Sequence, residues 1–352
     1  MFRKAKKNYL ELSIKVSADE FASSINIRSQ DKSLPNDGDD FHLVLDGNDG
    51  AGRLLGSSLF FTRTIPEDER EYLPTALHYD KIAESPWDEF PLGKNGDLTT
   101  ATWNPATSPN LLLFGPPGSG KSVIDRNLIF HCLQHPDKWR IYGIDPWRYD
   151  LSPYKKYSPV VERLVTDDLE EALEVCLTVR DEMMDRHEKM EALDVYNYRD
   201  LPDAPPAILL LVTEAAWLLS QSGSRARSDL EDDALRDEML MILTQISRLG
   251  RASGVNLVLS TQRTDAIVGE LKENMTTKVV IGRTYRDQSL LVLGHEEASY
   301  IAMTWKEGHD GLASISGRGY IQQGEVGQQF QAAFAPDDWY DEWLKNNQSN
   351  NA

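Results

Sequence analysis

Hydrophobic positions follow two rhythms along this chain. From about residue 90, short unbroken apolar runs alternate with longer stretches in which apolar residues recur every three or four positions. The runs are NLLLFG (110–115), WRIYGIDP (139–146), AILLLVTE (207–214), VNLVLSTQR (255–263) and TKVVIGRT (277–284). Each is the length of a strand, and none alternates apolar with polar, so each predicts a strand covered on both faces. Between them, KSVIDRNLIFHCLQH (121–135), DLEEALEVCLTVRDEMMDRHEKMEAL (168–193), EDDALRDEMLMILTQISRLGRASG (231–254) and DQSLLVLG (287–294) carry helical spacing. Gly254 is placed to close the third of these helices. Strands alternating with helices predict an α/β fold with a mostly parallel sheet.

The first 85 residues break this rhythm. YLELSIKV (9–16) and DFHLVLDG (40–47) suggest strands, whereas RSQDKSLPNDGDD (28–40) and DGNDGAG (46–52) are rich in turn formers and acids. The division expected is a small N-terminal accessory module over 1–85, β-rich or partly disordered, an α/β domain over 86–335 and a tail over 336–352. In the tail, Trp339 and Trp343 stand at helical spacing and are expected to dock it, while its polar end predicts disorder.

Composition narrows the class. No apolar run approaches the roughly 20 residues that span a bilayer, and the basic start lacks the apolar core of a signal peptide. The only cysteines, Cys132 and Cys176, have no metal-ligand spacing and are expected to fill the core of a reduced, cytoplasmic protein. The formal net charge is −19, so the surface as a whole is not built to coat nucleic acid, and any DNA contact has to be local.

One stretch carries specific chemistry. GPPGSGKS, running Gly115, Pro116, Pro117, Gly118, Ser119, Gly120, Lys121 and Ser122, fits G-x-x-x-x-G-K-[ST] between a strand and a helix. Such a loop curls its N–H groups around phosphate oxygens at the positive end of a helix. Lys121 is expected to reach the β- and γ-phosphates, and the Ser122 hydroxyl to ligate Mg²⁺, with ATP as the nucleotide.

Further segments follow in a fixed order: FPLGKNGD ahead of the loop, IDPWRYDLSPY after the second strand, then LVTDDLEEAL, VRDEMMDRHEKMEALDVYNY, ISRLGRASGVNLVLSTQR and a late GLASISGRGYIQQGEVGQQFQAAF. Together they resemble the motor domain of the FtsK/SpoIIIE family of ring-forming ATPases, within the wider group that includes HerA, over roughly residues 90–335. The resemblance implies a RecA-like P-loop core working as a homohexamer on double-stranded DNA, with a closing β-hairpin near the end. By position it implies that Gln262 senses the γ-phosphate at a strand end and that Arg251 acts in trans on a neighbour's nucleotide, with Arg248 as the fallback. Asp145, at the end of the second strand, is expected to order the loop there. An N-terminal module not covered by the resemblance is a candidate for meeting a membrane or a recruiting protein.

The resemblance fails at one letter. Family members normally read Asp-Glu where this chain has Thr213-Glu214. Glu214 keeps the place of the group that polarises the attacking water. Thr213 can offer a hydroxyl to Ser122 or to a water, so its link to the metal is indirect and weak. Loss of a charge-assisted bond, roughly 1.5–3 kcal/mol, would weaken Mg²⁺ positioning about tenfold to a hundredfold. Three accounts stay open: a slow motor in which Glu214 or another acid supports the metal, an ATP-bound subunit that does not hydrolyse, and an aspartate exchanged for threonine. Two rivals to DNA translocation also stand, a type VII secretion-like module moving protein and a non-enzymatic assembly subunit. His131, His135 and His187 lack metal spacing, and the methionines at 183, 184 and 190 read as a packed helix face.

Overall fold

The computed structural model describes residues 76–348, apart from 97, 149, 159, 222–226, 264, 266, 268, 302, 306–311 and 315, and the backbone of four earlier strands. Those four form two antiparallel pairs: β1 (Glu11–Ser17) with β2 (Glu20–Arg28), and β3 (Phe41–Leu45) with β4 (Leu59–Arg63). The turn-rich stretches between them lie outside the described residues. The chain divides into two compact units, Met1–Glu71 and Tyr72–Ala352.

The second unit is built on a ten-stranded sheet. Six strands run parallel: β7 (Asn110–Phe114), β8 (Trp139–Ile144), β9 (Val161–Val165), β10 (Ala207–Val212), β11 (Val255–Thr261) and β12 (Thr277–Ile281). Four antiparallel strands extend the β12 edge: β15 (Arg318–Gln323), β16 (Val326–Ala332), β5 (Phe90–Asn95) and β6 (Thr100–Trp103). The final order is β6-β5-β16-β15-β12-β7-β11-β10-β8-β9. Every apolar run read from the sequence is a parallel strand. The late segment is the expected hairpin, β15–β16, preceded by a small ribbon of β13 (Met303–Trp305) and β14 (Leu312–Ser314).

The unbroken apolar strands serve two cores at once. Side chains alternate across the sheet, so Leu111, Leu113, Leu209 and Leu211 join one buried cluster while Leu112, Phe114, Leu210 and Val212 join the other. The first cluster is roofed by α1 (Lys121–Gln134) and α7 (Asp337–Gln348). The second packs against α2 (Leu169–Leu193), the short α3 (Ala215–Leu219), α4 (Arg227–Ser253), α5 (Gly269–Glu273) and α6 (Arg286–Leu293). Met183 and Met190 are core residues of α2 and α1 contributes Cys132, while Cys176 is equally buried. Trp339 and Trp343 do dock α7, each with its ring against Phe130 of α1. The helix runs to Gln348 and so includes part of the polar end expected to be disordered; 349–352 lie outside the described residues.

The parallel register sets the site. Ile144 lies beside Val212, Val212 beside Leu259, Thr261 beside Phe114 and Phe114 beside Val280. The residues that follow these strands therefore emerge along one edge. β7 also sits where the connections diverge, with α1 crossing toward β8 and the β11–β12 link passing to its other side. A crevice at such a strand order reversal is where open α/β sheets bind ligands.

Candidate nucleotide site

The phosphate loop leaves β7 at Gly115 and enters α1 at Lys121. Gly118 and Gly120 have φ of 72° and 110°, left-handed values that a side chain would strain. The loop is wedged against β12: a Cβ on Gly115 would stand 2.5 Å from the Ile281 carbonyl oxygen. Lys121 Nζ donates to the Gly115 carbonyl at 2.7 Å, holding the ammonium inside the loop. Burial pulls the Lys121 pKa below its ordinary value, opposed by the charges of Glu214, Asp125 and Asp150. Ser119 Oγ is buried with no hydrogen-bond partner.

The next two strands bring the acids. Glu214, 6% exposed, follows β10, and its Oε1 accepts the Thr261 hydroxyl at 3.1 Å and the Gln262 N–H at 3.4 Å. The structure thus brings Gln262 and Glu214 together. They open onto a cavity of about 430 Å³ walled also by Trp147, Trp217, Arg236 and Arg263. The Thr213 hydroxyl donates to Asp145 Oδ1 at 3.2 Å. Asp145 in turn accepts the Leu151 N–H on Oδ2 at 2.8 Å, which is the loop-ordering expected of it.

Two further acids face the loop. Asp150 lies beside Ser122, whose hydroxyl opposes the rise in pKa that burial brings to its carboxyl. Asp125 lies one turn along α1 from Lys121, 2% exposed and with Oδ1 unpartnered. Burial, then Asp150, pushes its pKa well up. Neither residue stands out in the sequence. The available signal was a lone acid on the otherwise apolar face of α1, and an acid spaced six residues from Lys156 in a loop read only for its likeness.

Arg251 is not in this site. It lies at the end of α4, where β11 begins, and its Nε donates to the Ala106 carbonyl at 3.0 Å. That end of the sheet is about 20 Å from the phosphate loop, at roughly 3.3 Å per strand residue. Arg248 pairs with Glu270 of α5 at 3.4 Å. His131 and His187 are structural: their Nε2 atoms face the Trp87 and Leu249 carbonyls at 3.2 and 3.1 Å. Within the acidic stretch 229–238, Asp233 is buried beside Arg236 rather than solvated. Arg225 and the side chain of Arg227, read as its facing charges, lie outside the described residues.

The FtsK/SpoIIIE family model matches residues 84–266, just over half of the chain. The chain belongs to the FtsK/SpoIIIE family. It is a P-loop ATPase of that family, and the match takes in the phosphate loop, Asp150 and the Thr213-Glu214 pair. Among its relatives, a protein named DNA translocase FtsK from Rhizobium meliloti is 27% identical over 260 residues, covering 66% of this chain and 29% of that protein. One of the same name from Mycobacterium tuberculosis is 29% identical over 252 residues, covering 65% and 27%. This chain therefore spans under a third of the length of these relatives. Among solved structures, the pCW3 conjugation coupling protein TcpA with ATPγS superposes with a TM-score of 0.67 at 20% identity, over 97% of this chain and 94% of that one. ATPases 2 and 3 of EssC from Geobacillus thermodenitrificans give 0.61 at 17%, over 80% and 51%. Both likenesses speak to the fold. Among the described residues no helix is long and apolar enough to cross a membrane.

Proposed function

We propose that this ATPase hydrolyses ATP slowly and uses it, as a ring of copies, to move or grip double-stranded DNA. The observation that carries the reading is a phosphate loop with Lys121 and Ser122 at the head of α1, the Lys121 ammonium within reach of the Glu214 charge, and Glu214 held by Thr261 and Gln262 at the mouth of a cavity. Lys121 leaves the Gly115 carbonyl for phosphate oxygens as nucleotide enters. Glu214 accepts a proton from the water it orients, and Gln262 stands beside that water's place.

The donor set suits Mg²⁺. Among the described residues there is no cage of three or more ligands, which fits an ion that keeps several waters and leans on substrate phosphates. Among the described residues, the buried acids Asp125, Asp145 and Glu214 outnumber the one buried lysine, Lys121, and Asp125 Oδ1 has no partner. Ser122 would hold the ion, which when bound neutralises charge on the β- and γ-phosphates.

DNA as cargo is supported by the relatives named DNA translocases. A net charge of −19 confines the contacts to a local surface, such as a ring lumen. Protein cargo is the second reading, favoured by a likeness in fold to the cytoplasmic domain of the type VII secretion ATPase EccC of Thermomonospora curvata (TM-score 0.56 at 18% identity) and by the departure at Thr213.

The deciding experiment is ATP turnover with and without long duplex DNA, for the native chain and for Lys121→Ala and Glu214→Gln. DNA should raise turnover, Lys121→Ala should abolish it, and Glu214→Gln should lower kcat by about 10²–10⁴. Turnover indifferent to DNA would defeat the DNA reading, and ATP binding without turnover would leave a nucleotide-held assembly subunit.

A further inference from the structure

The aspartate missing at position 213 raises the question of what else faces the phosphate-loop hydroxyl. Thr213 brings no charge there, and its hydroxyl proton goes to Asp145. Asp145, 1% exposed, has both oxygens in use: one takes the Thr213 hydroxyl and the other the Leu151 N–H. That second bond fixes the chain next to Asp150, whose carboxyl lies beside Ser122. Asp125 lies behind it on α1, nine-tenths buried and more, with an oxygen that nothing in the protein satisfies.

We infer that Asp150, carried on the loop after β8, supplies the carboxylate of the Mg²⁺ shell that family members place at the position of Thr213. It accepts the Ser122 hydroxyl and takes up a water of the ion, so the charge comes to the same place from a neighbouring strand. Thr213 is then a positioning residue, acting through Asp145 and the Leu151 N–H on the loop that bears Asp150. The inference rests on the reading of this site as one for Mg²⁺ and ATP.

The test is the gain in affinity that Mg²⁺ confers on nucleotide. A fluorescent ATP analogue is titrated onto the full chain with excess Mg²⁺ and with EDTA. Asp150→Asn should cut the native Mg²⁺ gain by roughly tenfold to a hundredfold, the equivalent of one charge-assisted bond, and leave affinity in EDTA no weaker. Adding Thr213→Asp to that variant should restore the gain by returning the charge to the family's position. Asp150→Ser is to be read in the same way where the asparagine variant does not fold. A variant that keeps the native gain, a loss equal with Mg²⁺ and EDTA, or a loss that Thr213→Asp leaves untouched would overturn the assignment. A native chain that binds no nucleotide would defeat the reading of the site itself, and the inference with it.

Discussion

His131 takes no part in the nucleotide chemistry, yet it sets an acid limit on the fold. Its ring is fully buried, with Nε2 against the Trp87 carbonyl. Burial, reinforced by His135, pulls its pKa from 6.5 to about 3. The folded chain therefore keeps this ring neutral where the unfolded chain takes up a proton. Stability from this group is complete above about pH 6.5 and falls as pH drops toward 3, at about 1.4 kcal/mol per pH unit. Urea unfolding at pH 6.5 and pH 5 should show His131→Gln losing about 2 kcal/mol less than the native chain over that interval. Equal losses would place the acid sensitivity elsewhere. The same scale shows what sequence could tell about the site. Lys121, Ser122 and Glu214 were legible because strand ends and a glycine pattern announce them. Asp150 and Asp125 were not, because their meaning comes from a loop fastened by Asp145 and from a helix face turned inward, and neither is written in spacing.

At the scale of elements, the clearest joint is between α1 and α7. The Tyr340 hydroxyl donates to Asn127 Oδ1 at 2.6 Å, and Asn127 Nδ2 donates to the Ala333 carbonyl at 2.9 Å. Both residues are buried, so Tyr340→Phe leaves an acceptor unsatisfied and should cost about 1–3 kcal/mol, read as a lower urea midpoint at an unchanged slope. A midpoint within error of native would mean that water replaces the hydroxyl. The parallel strands and main helices were legible because both faces of the sheet are buried and the apolar runs are unbroken. β9 was not, because VERLV carries two charges on an outer strand with an exposed Glu162. The β5–β6 pair was missed as well: Pro91 and Gly93 interrupt the pattern, and a register shift between them absorbs the irregularity.

At the scale of the whole molecule, Arg251 and the phosphate loop lie at opposite ends of one sheet, so a single copy cannot bring them together. In the proposed ring, head-to-tail association would bring one copy's arginine to the next copy's nucleotide, provided that the rotation between copies closes. Turnover per chain should then rise steeply with protein concentration. Arg251→Ala mixed with Lys121→Ala, each inactive alone, should regain some activity, because in mixed rings an intact loop can meet an intact arginine. Mixtures as silent as their components would show that Arg251 does not act across a boundary. The joint between α1 and α7 has a further bearing on how the molecule is made. Tyr340 lies 213 residues downstream of its partner Asn127. At about 5–20 residues per second, synthesis leaves the flank of the nucleotide helix open for roughly 10–40 s. During that time Phe130 has neither Trp339 nor Trp343 to cover it, and a nascent chain exposes the back of its phosphate-binding helix until α7 has emerged.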